Sequence, residues 1–177
     1  LSVELFNEFG RKAPDYLYIP VGDGVIYSGI YKGFADLERA GLIDKVPRLI
    51  AVQSEKSNAI AKAWETGEMK TIEKAETRAD SISVASPACG EMAAEAIRKS
   101  DAWATQVRDD EITAAQLELS SEAGVFAEPA AAAAWAGFQK DAQRLPKDAD
   151  VVVLLTGIGF KDMKAVTSSI RMPEPVD

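Results

Sequence analysis

Pro20-Val21-Gly22-Asp23-Gly24-Val25-Ile26-Tyr27-Ser28-Gly29 is the stretch on which the reading of this chain turns. The apolar run before it, residues 16–21 (YLYIPV), reads as a buried strand. A helical pattern follows, with Ile26, Ile30, Phe34 and Leu37 on one face. Strand, tight glycine loop and helix N-terminus together present several backbone N–H groups to an anion, with the helix dipole behind them. The expectation is a phosphorylated ligand cupped by Gly22, Asp23, Gly24, Val25 and Ile26. A plain strand-to-helix turn that needs glycine is the competing reading of the loop alone.

At 177 residues, 47% hydrophobic and 27% charged, the chain has the composition of one globular domain or of a large piece of a bigger one. A net charge of −8 argues against a nucleic-acid partner and against an anionic membrane surface, because both select basic faces. No apolar run approaches the roughly 20 residues a membrane span needs, and no signal-peptide pattern is visible. The sequence opens at Leu1 without Met, which reads as a processed or truncated product. The absence of His removes Ser-His-Asp and Cys-His nucleophile systems from this chain and disfavours zinc. The single cysteine, Cys89, excludes an internal disulfide and fits a reducing, cytoplasmic compartment. It sits at an expected helix start, where a thiol pKa can be depressed; a small packed side chain is the alternative.

Along the chain, expected helices and strands alternate. Residues 2–9 read as a helix, 16–21 as the first strand, and the loop helix runs to Ala40, stopped by Gly41. Residues 48–53 form a second strand and 58–65 a short helix; 66–78 read as a loop and 81–84 as a brief extended piece. Pro87 at a first helical position opens a helix to Lys99. Residues 103–107 form a strand, and Asp109, Asp110 and Glu111 open a helix with charges matched to its dipole. Val125-Phe126 is extended, and Pro129 begins an alanine-rich helix. Residues 150–156 (DVVVLLT) read as a strand buried on both faces of a parallel sheet. The expected fold is α/β, a mostly parallel sheet flanked by helices. Trp64, Trp103 and Trp135 read as core or interface aromatics, and Ala130 to Ala134 as close helix-on-sheet packing.

The loop PVGDG at 20–24 with SGIYKGF at 28–34 resembles the phosphate loop of threonine synthases and their pyridoxal-phosphate relatives of the tryptophan synthase β fold (fold type II). Residues 41–53 (GLIDKVPRLIAVQ), 79–84 (ADSISV), 124–130 (GVFAEPA) and 154–162 (LLTGIGFKD) resemble further blocks of that family, in the family's order. A lone glycine loop is weak evidence, but the blocks together span nearly all of residues 1–166. The resemblance implies the larger, C-terminal domain of that fold over residues 1–166 and pyridoxal phosphate as cofactor; the tail at 167–177, with Pro173 and Pro175, reads as flexible. It also implies a small amino-acid substrate, and because the first strand would lose neighbours that the family supplies from upstream, exposed apolar surface is expected to pair the chain as a homodimer or to aggregate it.

By the same resemblance the loop from Gly22 to Ile26 holds the cofactor phosphate, and the Thr156 hydroxyl faces the pyridine nitrogen. Glu128 lies near the ring face, with Ser83 and Ser86 close by. A strand-end Thr satisfying backbone and a helix-capping Glu are the plain alternatives for Thr156 and Glu128. In the family a lysine in a Ser-x-Lys-Asp motif carries the cofactor as a Schiff base, well upstream of the phosphate loop. No lysine from Lys12 to Lys164 stands in that context, so it is expected upstream of Leu1; Lys32 and Lys161 read as solvated. In the best-known threonine synthases the loop continues Gly-Asn-x-Gly-Asn, and its last Asn faces the phosphate of O-phosphohomoserine. Val25 and Ile26 stand there instead. The expected function is therefore the C-terminal part of a threonine-synthase-like lyase, inactive by itself. An ammonia-lyase or cysteate-synthase-like enzyme is the alternative, as is a non-catalytic module for a phosphorylated ligand.

Overall fold

The computed structural model describes residues 1–163 and residue 167; the expected tail at 167–177 lies outside them except for Thr167. Four parallel strands form one sheet in the order β3-β2-β1-β4: β1 Tyr16–Pro20, β2 Arg48–Ser54, β3 Ala104–Val107 and β4 Val151–Val153. The helices are α1 Ser2–Glu8, α2 Val25–Arg39, α3 Ala59–Thr66, α4 Gly90–Lys99, α5 Asp109–Glu122 and α6 Pro129–Asp141.

The strands β1 and β2 are apolar throughout because both faces are covered, and their side chains alternate between two cores. Leu17, Ile19, Leu49 and Ala51 point to the layer holding α1 to α4. Tyr16, Tyr18, Ile50 and Val52 point to α6, with α5 packed outside it. Ala130 to Ala134 are all buried, and a side chain at Gly137 would put a carbon 2.6 Å from Val52 Cγ2. Small residues thus bring α6 close onto the sheet. Trp64, Trp103 and Trp135 are half-buried around the two cores.

Four expectations are corrected. The strand β4 is shorter than 150–156 and half-buried, at an edge of the sheet among the described residues. The Leu154 amide still donates to the Tyr18 carbonyl (2.9 Å), but Pro20 has no N–H to return the next ladder bond, so pairing stops. The brief extended piece at 81–84 is instead a 3₁₀ turn over Asp80–Ile82. The helix α4 begins at Gly90, not Pro87: a turn closed by Gly90 N to the Pro87 carbonyl (3.2 Å) precedes it, with the Cys89 amide on the Asp23 carbonyl (2.9 Å) and the Ala88 amide on Asp23 Oδ1 (3.1 Å). On α2 it is Tyr27, not Ile26, that joins Ile30, Phe34 and Leu37 in the core; Ile26 is 53% exposed.

The Tyr27 hydroxyl donates to the Leu49 carbonyl inside this core. Burial pushes the phenol well above its ordinary value of 10.0, so it stays protonated when folded. An unfolded chain ionises near that ordinary value, so the raised folded pKa stabilises fully below it, and stability falls as pH rises beyond it. Tyr27→Phe is expected to cost about 1 kcal/mol at neutral pH. It should also flatten the alkaline loss, both read by urea unfolding at several pH values. An unchanged alkaline slope would refute the assignment.

Candidate functional site

The strand β1 delivers the chain to the carboxyl end of the sheet, where the loop Val21–Gly24 turns into α2. Gly24 caps that helix with φ +84°, and its missing side chain makes room for the Cys89 carbonyl, 2.9 Å from where a Cβ would stand. Gly22 is pressed against the Asp80–Ile82 turn, 2.9 Å between its absent Cβ and the Ser81 carbonyl. The loop is therefore wedged between two other segments of the fold.

Buried polar side chains fix those segments. Gln53, fully buried, donates to the Val21 carbonyl (3.1 Å) and accepts from the Ala61 amide (2.9 Å), tying β1's end to α3. Buried Ser57 donates to the Ile82 carbonyl (2.8 Å) and accepts from the Val84 amide (2.9 Å). The carboxylate of Asp23 points to Ala88, so it caps an amide of the neighbouring segment rather than facing the loop's hollow.

That hollow is a cleft of about 300 Å³ lined by the Val21–Tyr27 loop, Ser81, Ile82, Glu128, Thr156 and Lys161, among others. The main-chain amides from Gly22 to Tyr27 have no acceptor among the described residues, and the first helical bond runs from Ser28 N to the Gly24 carbonyl (2.9 Å). Unspent amides at the head of a fifteen-residue helix are suited to a phosphate dianion. Val25 and Ile26, 58% and 53% exposed, contribute amides and an apolar rim but no side-chain donor.

Opposite the loop, Thr156 follows β4 and lies exposed on the cleft wall, with its hydroxyl available as a neutral hydrogen-bonding partner. Glu128 is 4% exposed at the N-cap of α6, yet makes no capping hydrogen bond. Its Oε2 instead lies 3.3 Å from Lys161 Nζ and accepts from Ser81 Oγ at 3.4 Å; Lys161 also reaches Ser81 Oγ at 3.2 Å. Gly157 allows this, since a Cβ there would stand 2.2 Å from Glu128 Oε1.

The sequence-derived set of Gly22, Asp23, Gly24, Val25, Ile26, Glu128 and Thr156 thus converges on one cleft. Ser83 and Ser86 are not among its lining residues: Ser83 donates to the Ala75 carbonyl (3.1 Å) and Ser86 pairs with Thr71 (3.3 Å). Ser81, which the sequence did not single out, lines the cleft from the 3₁₀ turn. Lys161 is 64% exposed, as expected of a solvated lysine, and is also the cleft's cation among the described residues. Gln53, Ser57 and Ser81 carried no local signal in sequence, since their partners lie 8 to 80 positions away. No helix among the described residues is long and apolar enough to cross a membrane.

The family model for pyridoxal-phosphate dependent enzymes matches residues 1–157. The threonine synthase of Methanosarcina acetivorans is 35% identical over all of this chain and 45% of its own length. That of Synechocystis sp. is 36% identical over 91% of this chain and 40% of its own length. The chain spans about half the length of the curated relatives it matches. Among solved structures, a fungal L-serine ammonia-lyase from Rhizomucor miehei is 25% identical with a TM-score of 0.77, covering 96% of this chain and 54% of that one. Maize serine racemase, 18% identical with a TM-score of 0.74 over 95% of this chain and 49% of its own, shares the fold.

Proposed function

The chain belongs to the pyridoxal-phosphate dependent enzyme family, and from that premise we propose that it forms the phosphate- and ring-binding part of a threonine-synthase-like lyase. The reaction class is elimination or replacement at an amino-acid side chain, with O-phosphohomoserine as the expected substrate. The observation that carries this reading is the row of unspent amides from Gly22 to Tyr27 in a cleft that Thr156 also lines.

Pyridoxal phosphate, when bound, supplies an electron sink for the bonds at a substrate's Cα. The residues of this chain hold and tune it. The loop amides and the positive end of α2 receive the phosphate, with Gly22 and Gly24 permitting the close approach. The carboxylate of Asp23, capped onto Ala88, stays out of the phosphate's way. The Thr156 hydroxyl meets the ring nitrogen as a neutral partner and leaves it less cationic than a carboxylate would, which suits side-chain elimination. The lysine that attaches the cofactor is proposed to come from sequence outside this chain; Lys161 is engaged with Glu128.

A second reading, an ammonia-lyase acting on serine or threonine, is favoured by Val25 and Ile26, which offer no side-chain donor for a substrate phosphate. The likeness to the Rhizomucor miehei L-serine ammonia-lyase supports it too. Incubating the whole protein with pyridoxal phosphate, reducing with borohydride and measuring intact mass is expected to add one pyridoxyl group. Phosphate and threonine released from O-phosphohomoserine would favour the first reading; ammonia and a 2-oxo acid from serine or threonine would favour the second. No adduct and no turnover would leave a non-catalytic module for a phosphorylated ligand. The proposal includes a cytoplasmic homodimer, in keeping with the single Cys89 and checked by light scattering.

A further inference from the structure

We propose that Lys161 is the charge-compensating residue of the cleft: it neutralises the Glu128 carboxylate, and strong binding of a phosphorylated ligand depends on that pair. The inference rests on the phosphate-holding role proposed above for Gly22–Ile26. The loop carries no Lys or Arg, and the acidic residues lining the cleft are Asp23 and Glu128. Asp23 is turned onto the Ala88 amide. The Glu128 side chain is 5% exposed, so its charge reaches the cleft poorly screened, and its partners are the Lys161 ammonium (3.3 Å) and the Ser81 hydroxyl (3.4 Å).

The pair is built by the fold rather than by chance on a surface. The turn carrying Lys161 is fastened to the segment carrying Glu128 by Glu128 N to Gly157 O (3.0 Å) and Gly159 N to Phe126 O (2.7 Å). An isolated bridge between Ala127 and Ile158 lies between these bonds. Two glycines permit this closeness: a Cβ at Gly157 would strike Glu128, and one at Gly159 would lie 2.4 Å from the Phe126 ring. Without Lys161, a dianionic phosphate would enter a cleft holding an unpaired buried carboxylate, and repulsion would weaken phosphorylated ligands selectively.

The test is equilibrium dialysis of the whole apo-protein against pyridoxal 5′-phosphate and against pyridoxal, which share every group but the phosphate. Lys161→Met is expected to raise the Kd for the phosphorylated form about tenfold and that for pyridoxal less than about twofold. Lys161→Arg should stay within about twofold for both, and Glu128→Gln with Lys161→Met should restore phosphate binding to within about threefold. Glu128→Gln alone, an isosteric change with the exposed Lys161 retained, should tighten the phosphorylated ligand. Equal weakening of both ligands by Lys161→Met, or a double variant as weak as the single one, overturns the inference. A parent protein that binds both ligands equally overturns the phosphate-holding role itself, an outcome distinct from either.

Discussion

Replacing Gly24 by valine is expected to abolish the phosphate-dependent part of pyridoxal 5′-phosphate binding and to cost about 3 kcal/mol of stability or more. Two independent effects add. At φ +84° a branched side chain is strained whatever space surrounds it. The space is also missing, because the new Cβ would lie 2.9 Å from the Cys89 carbonyl oxygen and 3.0 Å from the Ala93 Cβ. The carbonyl is backbone and cannot swing aside. Cys89 is in turn held to Asp23 through its own amide, so the loop and the head of α4 must separate together. That separation pulls Ala93, Ala96 and Ile97 from the core and turns the amides of the α2 head away from the cleft. Gly24→Ala should show the same pattern at about half the cost. Val25→Ala, at the exposed neighbouring position, should change stability by less than about 0.5 kcal/mol. A Gly24→Val protein with an unaltered urea midpoint would remove the wedge from the account.

The second large effect lies far from the cleft, at Asp141. This carboxylate, 4% exposed at the end of α6, accepts hydrogen bonds from Trp103 Nε1 (2.7 Å), from the Thr105 hydroxyl and from the Tyr18 hydroxyl (3.4 Å). Arg144 pairs with its other oxygen at 3.3 Å and lies 4.4 Å from the Trp103 ring centre. One carboxylate thereby ties β1 and the β3 segment to α6. Burial first, and then the Asp141 charge, pushes the Tyr18 phenol above its ordinary range, so it remains a donor. Asp141→Ala removes the acceptor shared by three donors, leaving Trp103 Nε1 only the Thr105 hydroxyl (3.1 Å), and is expected to cost about 3 kcal/mol. Asp141→Asn keeps an acceptor oxygen in place and should cost less than the alanine variant. Urea unfolding of the two variants decides it: equal losses would mean that the carboxylate acts by filling space and not by accepting these bonds.

Legibility in the sequence followed the range of the interactions involved. The loop helix and its glycines were readable because a strand, a glycine turn and a helix start are neighbours in the chain. The stop at Gly41 was readable for the same reason, and its φ of +69° follows from local sterics. Glu128 and Thr156 came from resemblance rather than from spacing. The short β4 was not readable, since its length depends on Pro20, a residue more than a hundred positions earlier that lacks the next ladder donor. The segment ahead of α4 is likewise held by Asp23, 65 positions earlier in the chain. Exchanging Ile26 for Tyr27 in the core is a shift of one residue around a helix, which a periodicity of 3.6 does not resolve over so short a stretch.

By itself, then, the sequence determined the alternation of apolar strands and amphipathic helices, the parallel α/β class and the conformational freedom of the phosphate-type loop, all consequences of local sterics and burial. Only the tertiary structure decided that Ser81 rather than Ser83 or Ser86 faces the cleft. It alone brought Lys161 to Glu128 and let Gln53 and Ser57 brace the loop. Those outcomes depend on close packing between segments far apart in the chain, where the absence of a single Cβ, as at Gly157, determines which side chains meet.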